Sequence, residues 1–140
     1  MLDFLQGQVI QLKGSILGFE NCNAFSISVV EENRHFAHLQ SMEQGDIGFL
    51  VVSPFTFYPE YWLEIEEKDN KQLDIQSHED VVVLSIVTTG KTFSESTMNL
   101  LAPIILNISN GRGKQIVLPP KSKYGTKEPL FIAARKENGA

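Results

Sequence analysis

Short strand-like segments make up most of this chain, and no regular alternation with helices separates them. The clearest is residues 81–89, which are dominated by β-branched types, and residues 24–30 alternate apolar and polar side chains. Eight short strands without βαβ alternation predict a mainly β fold, a small antiparallel β-barrel-like domain or a sandwich. Only the charged stretch 66–73 favours a short helix. The remaining strand candidates are residues 7–12, 36–40, 47–52, 61–65, 103–108 and 114–118, the last two joined by a hairpin turn at residues 110–113.

Length and composition indicate one globular domain. A chain of 140 residues with 42% hydrophobic and 21% charged residues is long enough to bury a core. We expect a domain over residues 1–130 and a flexible tail over residues 131–140. No apolar stretch reaches the roughly 18 residues of a membrane span, and the N-terminus does not resemble a signal peptide. The single cysteine, Cys22, cannot form an internal disulfide, so we expect a cytoplasmic protein.

Charge is divided unevenly along the chain. Residues 1–110 hold fifteen acidic and five basic residues, a formal charge of −10, whereas residues 111–140 carry +5. An acidic body disfavours direct binding to a phosphate backbone and suits a basic partner. Three interpretations of the basic end are open. It can contact nucleic acid, remain solvated, or fold back on the acidic body. The candidates for a nucleic-acid contact are five of its seven basic residues, namely Lys121, Lys123, Lys127, Arg135 and Lys136.

Aromatic residues concentrate in one segment. Six of the thirteen lie within residues 49–62, and a buried strand explains only the first half of that stretch. The second half begins at Pro54 and is interrupted by Pro59, which disfavours a central strand. Aromatic, proline-bounded segments beside carboxylates are typical of protein-docking surfaces. The alternative is that these aromatic side chains close one end of a barrel as part of the core. Residues 99–104 can likewise be either core or docking surface.

Residues with catalytic or metal-binding chemistry form no recognisable motif. His35 and His38 lie three positions apart in or beside a strand, so they point to opposite faces. His78–Asp80 fits a polar turn before the strand that starts at Val81, and Cys22 has no adjacent base. We therefore expect no enzymatic activity, no metal and no cofactor.

Two motifs in combination identify a family resemblance. They are Pro-Phe-x-Phe-Tyr-Pro-Glu-Tyr over residues 54–61 and Asn-Leu-x-Ala-Pro-Ile-x-x-Asn over residues 99–107. With Gly-Phe-Glu at residues 18–20 and further segments at 39–41, 83–88, 113–118 and 124–130, the chain resembles the bacterial flagellar assembly factor FliW. The turn at residues 15–20 departs from the family, because Ser15 stands where glycine is usual and Leu17 replaces a proline. The first hairpin is also shorter than usual.

The resemblance implies a small β-barrel-like regulator without enzymatic activity, a monomer with two alternative protein partners. One is flagellin, which it would hold in the cytoplasm before export, as a chaperone does. The other is CsrA, a dimeric RNA-binding protein that represses flagellin translation. Freed from flagellin, the protein would capture CsrA through a surface distinct from the RNA-binding site and relieve that repression. The alternative function is a small β-barrel that binds nucleic acid directly through its basic end.

We predict that the two motifs form or support the docking surface. The predicted partner-binding residues are Phe55, Phe57, Tyr58, Tyr61, Asn99, Leu101, Pro103 and Ile104. The surrounding electrostatic field is assigned to Glu60, Glu64, Glu66 and Glu67. A charged residue in place of Tyr58 or Ile104 is expected to abolish capture of CsrA while the fold survives.

Overall fold

The structure, a computed structural model, describes residues 2–131, and strands dominate this part of the chain. The strands are β1 (Val9–Gln11), β2 (Ala24–Val29), β3 (Phe36–Ser41), β4 (Gly48–Val52), β5 (Val81–Thr88), β6 (Thr97–Met98), β7 (Ile104–Asn107), β8 (Arg112–Gln115) and β9 (Glu128–Pro129). The helices are α1 (Pro54–Phe57) and α2 (Glu67–Gln72), with single 3-10 turns at Asp3–Leu5, His78–Asp80 and Phe93–Glu95. The mainly β prediction is confirmed.

Seven of the strands close into a barrel. Their hydrogen-bonded order is β4-β3-β2-β1-β8-β7-β5, and β4 pairs again with β5 through Val51–Ile86 and Val52–Ser85. Neighbouring strands are antiparallel except β1 and β8, which pair in parallel at Gln11 and Arg112. The two-residue strands β6 and β9 extend the sheet from β5, outside the ring. Closure pairs both edges of the seven-stranded sheet and produces the barrel that the short strands predict.

Strand β7 is apolar on both faces and separates two hydrophobic clusters. Ile104 and Leu106 pack into the barrel interior, whereas Ile105 belongs to an outer cluster that includes Tyr61 and Leu73. All four β7 residues are buried. Since alternate side chains of a strand point to opposite faces, the long connection between β4 and β5 must cover the outer face. This connection carries four of the eight predicted partner-binding residues and all four predicted glutamates.

Three local predictions differ from the structure. Residues 61–65 do not form a strand, although their side chains alternate in exposure as those of a strand do. The described residues contain two short helices instead of one, because the predicted helix within residues 66–73 is preceded by α1. Strand β8 begins at Arg112 rather than residue 114, since the Asn110 side chain accepts the Arg112 N–H at 2.9 Å and tightens the turn. Residues 116–118 continue beside residues 101–103 through two backbone hydrogen bonds.

The first hairpin forms despite its departures from the family pattern. β1 pairs with β2 through Ile10–Phe25, and the connecting loop turns at Gly14 with φ of +73°. A Cβ at this position would lie 2.6 Å from the carbonyl oxygen of Glu20, so only glycine fits. At the other end of the chain, the predicted flexible tail lies outside the described residues except for Phe131. The Phe131 ring packs 5.5 Å from that of Phe93.

Candidate functional site

The aromatic segment after β4 begins with one helical turn. Pro54 occupies the first position of α1, where the N–H that proline does not have would be unpaired in any residue. The Tyr58 N–H donates to the Pro54 carbonyl at 2.9 Å, and the Tyr61 N–H donates to the Tyr58 carbonyl at 2.9 Å. These turns take the chain away from the direction of β4. The segment consequently folds over the outer hydrophobic cluster.

The hydroxyl groups of Tyr58 and Tyr61 anchor this segment by hydrogen bonds to backbone carbonyls of distant residues. Tyr61 is only 4% exposed, and its hydroxyl donates to the Leu100 carbonyl at 2.7 Å. Burial, with a smaller contribution from Tyr124, raises the pKa of the Tyr61 hydroxyl above its ordinary value, which keeps it a neutral donor. The half-buried Tyr58 donates to the Pro129 carbonyl at 2.7 Å. Tyr61 can therefore support a docking surface from beneath but does not present its own face to a partner.

The two predicted phenylalanines differ in exposure. Phe55 is 42% exposed, and its ring lies 5.6 Å from that of Tyr61. Phe57 is half-buried, and its ring contacts those of Phe36 and Phe131 at 6.0 and 5.8 Å. Phe55 therefore offers an apolar face to solvent, while Phe57 joins the segment to the aromatic packing at this end of the barrel.

Residues 99–104 form a tight turn that leads into the buried start of strand β7. The Asn99 side-chain oxygen accepts the N–H groups of Leu101 and Ala102 at 3.1 and 2.9 Å, which closes the turn. Asn99 and Leu101 are half-buried, whereas Pro103 is buried and Ile104 is 0% exposed inside the barrel. The expectation that the fold survives a charge at Ile104 is corrected by this position, because a charge there would have no water and no partner.

Trp62 forms one wall of a surface groove that the sequence analysis did not identify. It is 67% exposed, the most exposed of the large hydrophobic residues described. The groove occupies about 360 Å³ and runs between residues 62–64 and residues 118–124. Its walls are joined where the Trp62 backbone N–H donates to the Tyr124 hydroxyl at 3.3 Å. Trp62 was visible in the sequence as the last residue of the aromatic segment, but the groove also needs residues 118–124, which are distant in the sequence.

Two of the predicted basic residues lie in this groove. Lys121 and Lys123 are exposed on the wall that faces Glu64. Lys127 is exposed elsewhere, in a second groove that it lines with Leu17 and Phe19. The other two basic residues, at positions 135 and 136, lie outside the part of the chain that the structure describes.

The predicted acidic residues lie on both sides of Trp62 in the sequence, and two of them are at the start of helix α2. The buried carboxylate of Asp69 accepts a hydrogen bond from Lys114 Nζ at 2.7 Å, and Lys114 also donates to Gln72 at 2.7 Å. Asn107 donates to the Leu73 carbonyl at 2.9 Å just after the helix. These contacts fix the position of α2 on the barrel. All four predicted glutamates are exposed, namely Glu60, Glu64, Glu66 and Glu67.

The residues considered for catalysis or metal binding are dispersed. Within residues 2–131, no group of three or more histidine, cysteine, aspartate or glutamate side chains is placed to hold a metal ion. His35 Nδ1 lies 3.4 Å from the Thr56 hydroxyl, and His38 is exposed on β3. Cys22 is buried as a free thiol. None of the helices in the described region is long and apolar enough to cross a membrane.

Comparisons with known proteins agree on one family. A family model described as FliW protein matches residues 1–130. The chain is 40% identical over 135 residues to the flagellar assembly factor FliW of Clostridium tetani, covering 96% of this chain and 92% of that protein. It is 39% identical over 129 residues to the protein of the same name from Bacillus subtilis, covering 92% and 90%. A crystal structure of the flagellar assembly factor FliW superimposes with a TM-score of 0.81 at 32% identity, covering 88% of this chain and 85% of the other.

Proposed function

This chain belongs to the FliW family of flagellar assembly factors, and we propose that it is a cytoplasmic, monomeric regulator that binds CsrA and flagellin in alternation. Bound to CsrA, it relieves the repression of flagellin translation. Bound to flagellin, it holds the subunit as a chaperone until export. The free concentration of flagellin then decides how much of the protein is available to capture CsrA.

The observation that carries this proposal is the exposed Trp62 at the edge of the aromatic segment. Large aromatic side chains are enriched in the centres of protein interfaces, where truncating one costs about 2 kcal/mol or more of binding free energy. Phe55 adds a second exposed aromatic face from the preceding turn of the same connection. The buried Tyr61 lies between these residues in the sequence and holds the connection to Leu100. The surface is thus apolar at its centre and fixed from beneath.

Acidic side chains around this surface favour a basic partner. The four exposed glutamates lie on the same connection, Glu60 and Glu64 on either side of Trp62 and Glu66 and Glu67 at the start of α2. Such a field raises the rate of encounter with a basic RNA-binding protein more than it raises the final affinity. If the field lies beside RNA bound to that protein, it also opposes the phosphates. Any effect on RNA binding must be reciprocal, since a tenfold loss in either direction corresponds to a coupling of about 1.4 kcal/mol.

Calorimetry against purified CsrA from the same organism tests the proposal directly. We expect tight binding to free CsrA and weaker binding when CsrA is saturated with RNA from the flagellin leader. The ratio of the two dissociation constants gives the coupling. If CsrA that binds RNA normally yields no complex with this chain, the regulatory part of the proposal is refuted.

The electrostatic part has a matched control within the chain. Neutralising Glu66→Gln and Glu67→Gln together should lower the association rate with CsrA several-fold at low ionic strength, and the difference should shrink as salt is added. The same change at the exposed pair Glu31 and Glu32, in the turn between β2 and β3, removes equal charge from another surface. Equal effects of the two double variants would mean that only net charge matters and that the face near α2 has no special role.

A further inference from the structure

The groove beside Trp62 has walls of opposite charge. One wall carries Trp62, Leu63 and Glu64, and the other runs from Leu118 through Lys121 and Lys123 to Tyr124. Leu63 packs against the outer hydrophobic cluster, and Leu118 is buried within it, so the floor between the charges is apolar. A segment bound here would place an apolar side chain between an anionic and a cationic contact.

The lysine-bearing wall is held in a defined conformation. The Ser122 N–H donates to the Pro119 carbonyl at 2.9 Å, which closes a turn with Pro120 at its second position. Proline fixes the backbone at that position and lowers the entropy lost when the loop is ordered by a partner. The Tyr124 ring lies 4.6 Å from that of Tyr61, so the far end of the wall is anchored as well. The backbone that carries the two lysines is therefore ordered before any partner arrives.

Neither lysine is neutralised within the described structure. The ion pairs among residues 2–131 are Arg34–Asp3 and Lys114–Asp69, and neither involves the groove. Within residues 2–131, these two lysines therefore form no ion pair with the acidic body. Two exposed cations beside an apolar floor match a partner segment that carries carboxylates next to an apolar side chain.

We propose that this groove binds such an acidic and apolar segment of flagellin, and that Lys121 and Lys123 select flagellin over CsrA. This inference rests on the proposed function, because it assigns a surface to one of the two partners. CsrA must be basic to hold RNA, so its overall positive field would oppose these lysines with like charge even if its RNA-binding site lies elsewhere. Trp62 and Glu64 share one wall, so flagellin in the groove would also cover the start of the acidic surface. Flagellin and CsrA would then be unable to bind at the same time, although their binding surfaces overlap only in part.

Charge reversal of the lysines separates this proposal from its rivals. Replacing Lys121→Glu and Lys123→Glu together should weaken binding of full-length monomeric flagellin tenfold or more and should not weaken CsrA binding, because it removes a like-charge contact. The control is Lys13→Glu with Lys91→Glu, two exposed lysines outside this groove, which alters net charge equally. We expect the control to leave flagellin binding within twofold of the unchanged chain. Circular dichroism of both double variants confirms that each is folded.

Several results would overturn the assignment. If the unchanged chain binds flagellin and the Lys121/Lys123 variant binds it equally well, the groove assignment fails while the proposed function stands. If the variant loses CsrA and keeps flagellin, the selection runs in the opposite direction and the assignment fails. A salt-dependent shift of single-stranded RNA by the chain alone, lost in the variant, would identify the groove as a nucleic-acid site instead. If the unchanged chain binds neither protein, both proposals fall together.

Discussion

Tyr61 and Trp62 are neighbours in the sequence but should respond in opposite ways to replacement by alanine. Tyr61 is 4% exposed and donates its hydroxyl proton to the Leu100 carbonyl, whereas Trp62 is 67% exposed. Tyr61→Ala should therefore damage the fold. Trp62→Ala should leave the fold intact and weaken partner binding.

The magnitudes follow from the burial of each side chain. Truncating a buried aromatic residue costs about 3–5 kcal/mol, and the unpaired Leu100 carbonyl raises the cost for Tyr61→Ala. Only a third of Trp62 is buried, roughly 80 Å² of a large aromatic side chain, which at about 25 cal/mol per Å² limits the cost to about 2 kcal/mol. A domain of this size loses about 4 °C of Tm for each kcal/mol. We expect Tm to fall by about 12–20 °C for Tyr61→Ala and by less than about 8 °C for Trp62→Ala.

Thermal unfolding followed by circular dichroism measures both values, and calorimetry with flagellin and CsrA measures binding by the folded variants. For Trp62→Ala we expect an affinity loss of about 30-fold or more for flagellin, the size of a hot-spot residue. Tyr61→Phe keeps the ring and removes only the hydroxyl, so it should lie between the unchanged chain and Tyr61→Ala. If Tyr61→Ala and Trp62→Ala destabilise the fold equally, the assignment of Tyr61 as buried and Trp62 as exposed is refuted. Unchanged affinity of Trp62→Ala for both partners would refute the groove as a docking surface.

Further predictions concern the core and the turns. Ile104→Glu should leave the chain unfolded by far-ultraviolet circular dichroism, because Ile104 is 0% exposed inside the barrel; a folded variant would contradict this position. Gly113→Ala should cost about 1–3 kcal/mol in urea unfolding, since a Cβ there would lie 2.8 Å from a methyl carbon of Leu12; no loss would show that the strands relax freely. Stability should fall as pH rises above the ordinary tyrosine pKa of 10.0, because the buried Tyr61 keeps its proton to higher pH than the unfolded chain does. Tyr61→Phe should lose less stability at alkaline pH than the unchanged chain does. Identical dependences of stability on pH for the two proteins would show that Tyr61 is not the cause.

The strands of the barrel were predictable because their patterns are local. Strand β5 is a run of β-branched residues, and β2 alternates in burial as its sequence alternates in polarity. The two-residue strands β6 and β9 were not predictable, since two residues carry no periodicity. Residues 61–65 alternate in exposure as predicted, but no neighbouring strand pairs with them. A period of two reveals which side chains face inward and says nothing about the hydrogen-bonding partner.

The sequence indicated which segments form the candidate site, but it did not indicate the role of each residue within them. Ile104 was predicted at the docking surface, although consecutive apolar residues at 104–106 are typical of a strand buried on both faces. Asn99 was identified, but its contribution is to close a turn through its side-chain oxygen, a geometry the sequence does not specify. The groove depends on Trp62 meeting Tyr124, 62 positions later, across the fold. Contacts of that separation leave no local pattern.

The most direct test of the partner switch is to titrate flagellin into a preformed complex of this chain with CsrA labelled for fluorescence anisotropy. We predict that monomeric flagellin releases CsrA, so that the anisotropy falls to the value of free CsrA. The Lys121→Glu and Lys123→Glu double variant should form the same initial complex and require at least tenfold more flagellin for release. A ternary complex that retains CsrA at saturating flagellin, or the absence of any initial complex, would contradict the switch.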